Sequence, residues 1–422
     1  MVENEPASLG SFIQYLKRSH LLLGGVAFNF GYYFCVLIIF LYLMITGSVG
    51  TTVYTMDFQV FYEAGQEFLI SPGNIYFVAP NGLPFRYLPS FAAYMSLFAI
   101  IPLYALYILN ITMMMIFSIL IVYAVYAISV KRGVLPSTKN FERTLAIVAI
   151  TPPNVVNLIL GQISQLVILL VLLVLFLLLV SSEHSIRIPI MIGLLIGIAI
   201  TIKPFCVVFL PFLVPFTLKR KLGIAIPFKK FGGVFFGFLV SMIPNIVYFF
   251  LYPFAFMDFI HVNLVEGLSY HHSTSITRLA VALLPFIDTN ILQYAVILTL
   301  GGYIFSRNYI SFIRSPMDKK RYTHHFASMM FLVLLVYPDS WFLFLSFWYA
   351  LLAPSMLQLY SSPTLQEGEK RKLDTLWAGS NNLLAFFSIG IVLYYLVLGL
   401  DPITPIWLIV LYVLYQRISN SE

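Results

Sequence analysis

Apolar residues run along this chain in blocks of spanning length, separated by shorter polar stretches. A helix needs ~20 apolar residues to cross a bilayer, and the blocks lack the strict alternation of barrel strands. The pattern predicts a first span at about 21–46 and a polar loop over 47–86. Inside that loop, residues 57–69 set Phe58, Phe61, Gly65, Phe68 and Leu69 against Gln59, Glu63, Gln66 and Glu67. Such spacing describes a helix lying in the interface plane. Ser71-Pro72-Gly73-Asn74 stops it, and Asn81-Gly82 with Pro84 marks a further turn.

Residues 88–130 are apolar throughout, with Pro102 near the middle, and two solutions fit. Two short spans turning near 102 leave Lys131, Arg132, Lys139 and Arg143 outside, against the positive-inside rule. One crossing over 88–130 and one over 144–180, broken or re-entrant around Pro152, Pro153 and Gly161, obeys the rule and totals ten spans.

Further spans are expected near 162–180 and 188–217, before the basic run Lys219 to Lys230. A span at 232–251, an outer loop 252–275, an amphipathic piece 276–287 and a span near 290–305 follow, then the basic stretch Arg307 to His325. Spans at 326–337 and 342–358 meet outside at Pro338-Asp339-Ser340-Trp341. Beyond a charged loop, Gln366 to Asp374, the last two spans, 380–399 and 404–416, turn at Asp401-Pro402. The favoured reading is an all-α polytopic fold of twelve spans with both ends in the cytoplasm. It forms one integral membrane domain over 1–422, with 47–86 as its first extracytoplasmic loop.

Composition agrees. Of 422 residues, 60% are hydrophobic and 10% charged, with mean hydropathy +0.92, where soluble chains carry about 25% charged residues. The net charge of +7 is that of cytoplasmic loops and implies no nucleic-acid partner. Residues 1–16 are polar and mixed, so no cleavable leader is expected. Cys35 and Cys206 lie inside apolar runs and read as small buried apolar residues.

Candidate chemistry gathers in the first loop. A carboxylate at the membrane surface can take a proton from a hydroxyl, and Asp57 leads the interfacial helix; the same aspartate also suits a helix N-cap. Glu63 and Glu67 share one polar face and read as solvated acids. Arg86, in Phe85-Arg86-Tyr87-Leu88-Pro89, offers a planar fork of donors to a lipid phosphate, or anchors the interface among aromatic neighbours. His271 and His272 lie in an outer loop where one could contact a phosphate or sugar, whereas His324 and His325 read as surface residues of a basic loop. Lys203 is the one charge well inside an apolar span, ahead of a helix-breaking Pro204, and intramembrane charges point to function. Asn154, Asn157, Gln162, Ser164 and Gln165 form a second polar cluster, lining an interior or bonding helix to helix. No nucleotide loop, metal signature or Asp-x-Asp pair is present, so an activated sugar donor would be lipid-borne.

Asp57-Phe58-Gln59-Val60-Phe61-Tyr62-Glu63-Ala64, Asn74-Ile75-Tyr76 and Phe85-Arg86-Tyr87-Leu88-Pro89 resemble glycosyltransferase family 87. So, in the same order, do Pro152-Pro153 to Gly161-Gln162, Gly197 to Lys203-Pro204, and Pro338 to Ser340-Trp341. The resemblance covers roughly 20–355 and departs from the family at Leu88, where a proline is usual, and at Asp339, where a neutral residue is usual.

It implies a GT-C fold and transfer of a hexose, mannose in this family, from a polyprenyl-phosphate carrier to a lipid or glycan hydroxyl outside the cytoplasm. It puts the catalytic base on Asp57; the chemistry of the residues themselves adds donor-phosphate contacts at Arg86, His271, His272 and Lys203, and acceptor or sugar contacts at Tyr62, Glu63, Tyr87, Gln162, Asp339 and Trp341. No metal, cofactor or second protein subunit is expected, and the location implied is the cell membrane. A transporter or lipid-carrier flippase, or an oligosaccharide ligase or polymerase, are the alternatives.

Overall fold

Prolines and glycines decide where the apolar runs become helices. The computed structural model describes residues 8–136, 138–181, 185–214, 217–219, 223–225, 227–265, 273–314, 321–362, 365–398 and 403–419. In chain order the first helices are α1 (Leu9–Arg18), α2 (His20–Ile45), α3 (Met56–Ile70), α4 (Pro89–Ser96), α5 (Leu103–Lys131) and α6 (Lys139–Ile150). Next come α7 (Pro153–Leu160), α8 (Ser164–Val180), α9 (Arg187–Ile202), α10 (Phe228–Leu251), α11 (Pro253–Ile260) and α12 (Ile276–Leu283). The last are α13 (Thr289–Val296), α14 (Gly302–Arg314), α15 (Arg321–Val336), α16 (Phe344–Tyr360), α17 (Glu367–Leu398) and α18 (Ile403–Ser419). A two-stranded hairpin, β1 (Thr217–Lys219) with β2 (Gly223–Ala225), is the sole sheet among the described residues.

Among the described residues, five helical stretches are long and apolar enough to cross a membrane: His20–Ile45, Leu103–Lys131, Lys139–Leu160, Phe228–Leu251 and Thr289–Arg314. Ser164–Val180, Arg187–Ile202 and Ile403–Ser419 are shorter apolar helices.

The run 88–130 is not two spans. Pro102 separates α4, eight residues and too short to cross, from α5, a continuous helix of 29. The crossing therefore ends at Lys131, which removes the charge conflict.

The run 188–217 is not one span either. Gly193 of α9 packs on Val234 and Phe238 of α10, Gly197 on Ser241, and Asn245 donates to Thr201 Oγ1 at 3.3 Å. Partner numbers rise together, so α9 and α10 are parallel neighbours, and the chain between them must return to the end where α9 began. It returns through a 3-10 stretch, Pro204–Phe212, held out of α geometry by prolines at 204 and 211. Nine residues of 3-10 helix rise ~18 Å. Phe205 packs against Tyr337 and Phe344, Phe209 against Phe326, and Phe212 against Phe312 and His325. A 3-10 backbone bonds within itself, i to i+3, and the stretch buries Phe205, Cys206, Phe209 and Phe212 against protein while Val207 is exposed.

Other expectations also change. Lys203 is not mid-span but the residue that ends α9, in extended conformation. His324 and His325 are not surface residues: His325 is fully buried between Phe212 and Phe312, and His324 stacks on Tyr415. Gln366 to Asp374 is no loop beyond its first residue, since α17 starts at Glu367 and runs 32 residues. Cys206 is buried, but Cys35 is exposed on α2.

At the break between α6 and α7, Pro152 and Pro153 lack the amide hydrogens that would bond the preceding turn. Side chains substitute: Thr151 Oγ1 donates to the Val148 carbonyl at 2.6 Å, Asn29 to Ala149 at 2.8 Å, and Tyr32 to Ile150 at 3.2 Å. Of the second polar cluster, Asn154, Asn157, Gln162, Ser164 and Gln165 are all buried, and Gln165 reaches Asn154 only at 3.5 Å.

Candidate functional site

Five stretches of chain, two of them tied together as one segment of the site, meet at one end of the bundle. The first is the start of α3. Thr55, in left-handed conformation (φ 65°), is the N-cap, with its amide donated to the Ile159 carbonyl at 3.0 Å. Asp57 is thus the second residue of the helix and not its cap. It is 8% exposed, on the face that Phe58 and Phe61 bury.

The second segment is the turn after α7. Gly161 sits at φ 74°, and a Cβ there would lie 2.5 Å from Phe58 Cβ, so α3 rests directly on this turn. Tyr107 donates to the Leu158 carbonyl at 2.8 Å and Asn110 to that of Gly161 at 3.0 Å. Gln162 is thereby held opposite Asp57.

The third comprises Arg86 and Tyr87, ahead of α4, with Lys203 at the end of α9. Leu88 N–H donates to the Thr201 carbonyl at 3.1 Å and Ser90 N–H to Asn245 Oδ1 at 2.9 Å, which ties the two pieces together. The fourth, Asp339 and Trp341, lies between α15 and α16.

These residues line one pocket of about 70 Å³, with apolar walls that include Phe61, Pro204, Phe205, Tyr337 and Phe344. Gln162 Nε2 donates to Asp57 Oδ2 at 2.7 Å, and Lys203 Nζ donates to Gln162 Oε1 at 2.9 Å and to the Tyr87 hydroxyl at 3.3 Å. Lys203 also lies 5.1 Å from the Tyr87 ring centre and 5.5 Å from that of Phe344. Across the pocket, Arg86 Nη1 is 3.1 Å from Asp339 Oδ2, while Trp341 Nε1 donates to Asp339 Oδ1 at 2.8 Å. The guanidinium is buried, yet none of its nitrogens makes a hydrogen bond among the described residues.

Burial raises the Asp57 carboxyl from 3.8 to about 6; the Gln162 hydrogen bond and the Lys203 charge pull it down, and Asp339 pushes it up. Such a group is poised to accept a proton near neutral pH. A buried guanidinium with unspent donors suits an anion, phosphate above all.

The structure brings Asp57, Arg86, Tyr87, Gln162, Lys203, Asp339 and Trp341 together. Tyr62 and Glu63 are outside the lining: Tyr62 donates to the Ala99 carbonyl at 3.3 Å, and Glu63 accepts from Gln59 at 2.6 Å. Both point off the face of α3 that carries Asp57, as their helical offset requires. His271 and His272 fall outside the described residues. Phe205, Tyr337 and Phe344 were not anticipated, although Lys203-Pro204-Phe205 and Tyr337-Pro338-Asp339 flank residues that were.

The profile of glycosyltransferase family 87 matches residues 85–338, more than half of the chain, and contains Arg86, Tyr87, Gln162 and Lys203. Asp57 precedes the matched stretch, and Asp339 and Trp341 follow it. No curated protein and no solved structure matches the chain. On the family match and its apolar helices, the chain is a membrane glycosyltransferase belonging to glycosyltransferase family 87.

Proposed function

We propose that the protein is a GT-C enzyme moving a hexose, with mannose the first to test, from a polyprenyl-phosphate carrier to a lipid or glycan hydroxyl outside the cytoplasm. The observation that carries this reading is a proton acceptor, Asp57, and an unspent phosphate-binding fork, Arg86, in the wall of one pocket. Asp57 takes the acceptor's proton as the acceptor oxygen bonds to the anomeric carbon. The bond from that carbon to the phosphate oxygen breaks with inversion, and its electron pair leaves on the carrier phosphate. Arg86 offsets the charge that develops there.

Twelve passes, eleven helical and one through the 3-10 stretch, would put both termini at the end opposite the pocket. Charge supports that orientation. Lys17, Arg18, Lys131, Arg132, Arg187, Lys229, Lys230, Arg314, Arg321 and Arg417 lie toward the far end, and Arg86, Lys203 and Arg278 toward the pocket. Basic residues stay cytoplasmic, so the pocket would face outward from a cell membrane.

The test is transfer from a labelled polyprenyl-phosphate hexose by membranes holding wild-type or Asp57→Asn protein. The variant is expected to lose at least ~100-fold, the usual scale of general-base catalysis. Wild-type rates in the variant would remove Asp57 as base and with it this reading.

A further inference from the structure

Gln162 occupies a position that fixes how its amide must point. Lys203 Nζ has only donors, so the atom 2.9 Å from it is an acceptor, the amide oxygen. The amide nitrogen is then left facing Asp57 Oδ2 at 2.7 Å. An amide free of such a neighbour could turn over and present its oxygen to the carboxylate; Lys203 forbids that.

Lys203 is itself fixed. It is the last residue before the Pro204 break, its charge lies between the rings of Tyr87 and Phe344, and its second bond goes to the Tyr87 hydroxyl. The result is a three-residue line, ammonium to amide to carboxylate, built from the ends of α9, α7 and α3. It leaves Asp57 Oδ1 with no hydrogen bond among the described residues.

We propose that Gln162 is a positioning residue, oriented by Lys203, that holds Asp57 ionised and turns its free oxygen, Oδ1, toward the acceptor. Lys203 then acts on the base, through Gln162 and directly by its charge, and not on the donor phosphate. This rests on the reading of Asp57 as general base and adds how that base is kept charged in a buried pocket. Of the other groups facing Asp57, Asp339 disfavours the charged form, the buried Tyr87 hydroxyl is neutral, and Arg86 is engaged by Asp339. The line through Gln162 therefore supplies the main compensation for burial.

The test is the pH profile of kcat/KM for hexose transfer by wild type, Gln162→Leu and Lys203→Met. The wild-type acid limb is expected near pH 6. Each variant should move it upward by about one unit, with most activity recovered at alkaline pH. The double variant should move the limb further than either single variant but by less than the sum of the two shifts, because Lys203 both orients Gln162 and acts on Asp57 directly by its charge.

Equal loss at every pH with an unmoved limb would mean a merely structural role. A higher KM for the donor with an unmoved limb would mean that these side chains hold substrate. Either result overturns the proposal. Asp57→Asn run beside them separates this outcome from failure of the base itself. An inactive Asp57→Asn with unmoved limbs sinks only the relay, and an active one sinks the base.

Discussion

Arg86 and Asp339 face each other at 3.1 Å with no hydrogen bond aligned between them. The pair is held by charge, and Trp341 secures only the far oxygen of the carboxylate. A pocket of about 70 Å³ holds a few waters, so a hexosyl phosphate needs it wider. Exchange of Asp339 for the donor phosphate at Arg86 would both open the pocket and pair the anion.

Asp339→Asn removes the competing carboxylate. Polyprenyl phosphate, measured as a product inhibitor, should then bind about tenfold tighter, the scale of one like charge removed at close range. Arg86→Ala should weaken it by at least as much. Unchanged inhibition by Asp339→Asn would exclude competition at Arg86.

Asp57 should limit stability where it serves activity. Its carboxyl lies higher in the fold (about 6) than its ordinary 3.8. A raised acid contributes its full stability below the ordinary value and loses it as pH rises through the folded one. Asp57→Asn should therefore add about 3 kcal/mol of stability in detergent at pH 8, read as a higher unfolding temperature, and change it little at pH 4. A variant no more stable at pH 8 than wild type would show that the carboxylate carries no burial cost.

The parallel pair α9 and α10 depends on the absence of side chains. A Cβ on Gly193, Gly197 or Gly237 would overlap Val234, Ser241 or Ile190. Gly197→Val should cost several kcal/mol, as overpacking a close contact does, and is expected to abolish folded protein in size-exclusion chromatography. Gly24 on α2 has nothing within 4 Å of such a Cβ. Gly24→Ala should be neutral or stabilising by about 0.5–1 kcal/mol.

Gly161 links packing to chemistry. Its φ of 74° and the 2.5 Å approach to Phe58 mean that Gly161→Ala strains the turn and pushes α3 off it. Because Phe58 adjoins Asp57, kcat should fall by about 10- to 100-fold, the scale of an ångström-sized misplacement. KM should change less. A change confined to KM would place the effect in substrate binding.

Much of the pocket was legible because its residues break local rules. Asp57 and Arg86 stand at the ends of a polar loop in an apolar chain, and Lys203 is a cation beside a helix-breaking proline. Their depth was not legible. Hydropathy registers that 188–217 is apolar but not that its backbone doubles back at Pro204, so Lys203 read as mid-span when it is terminal.

For the same reason His325 read as surface. Its basic neighbours are local, whereas the rings that bury it include Phe212, more than a hundred residues earlier. Gln162 was noticed as polar; its bond to Lys203 depends on three helix ends meeting. Gly193 with Gly197, and Gly233 with Gly237, do repeat at the four-residue interval that lets helices approach closely.

The stretch 204–212 also bears on biogenesis. Its aromatic side chains rest on Phe326, Tyr337, Phe344 and Phe347, all encoded well downstream. While the ribosome is still short of α16, the segment has no completed seat. The pocket that Lys203 helps to line is therefore complete only once the residues from Tyr337 to Phe344 have been made.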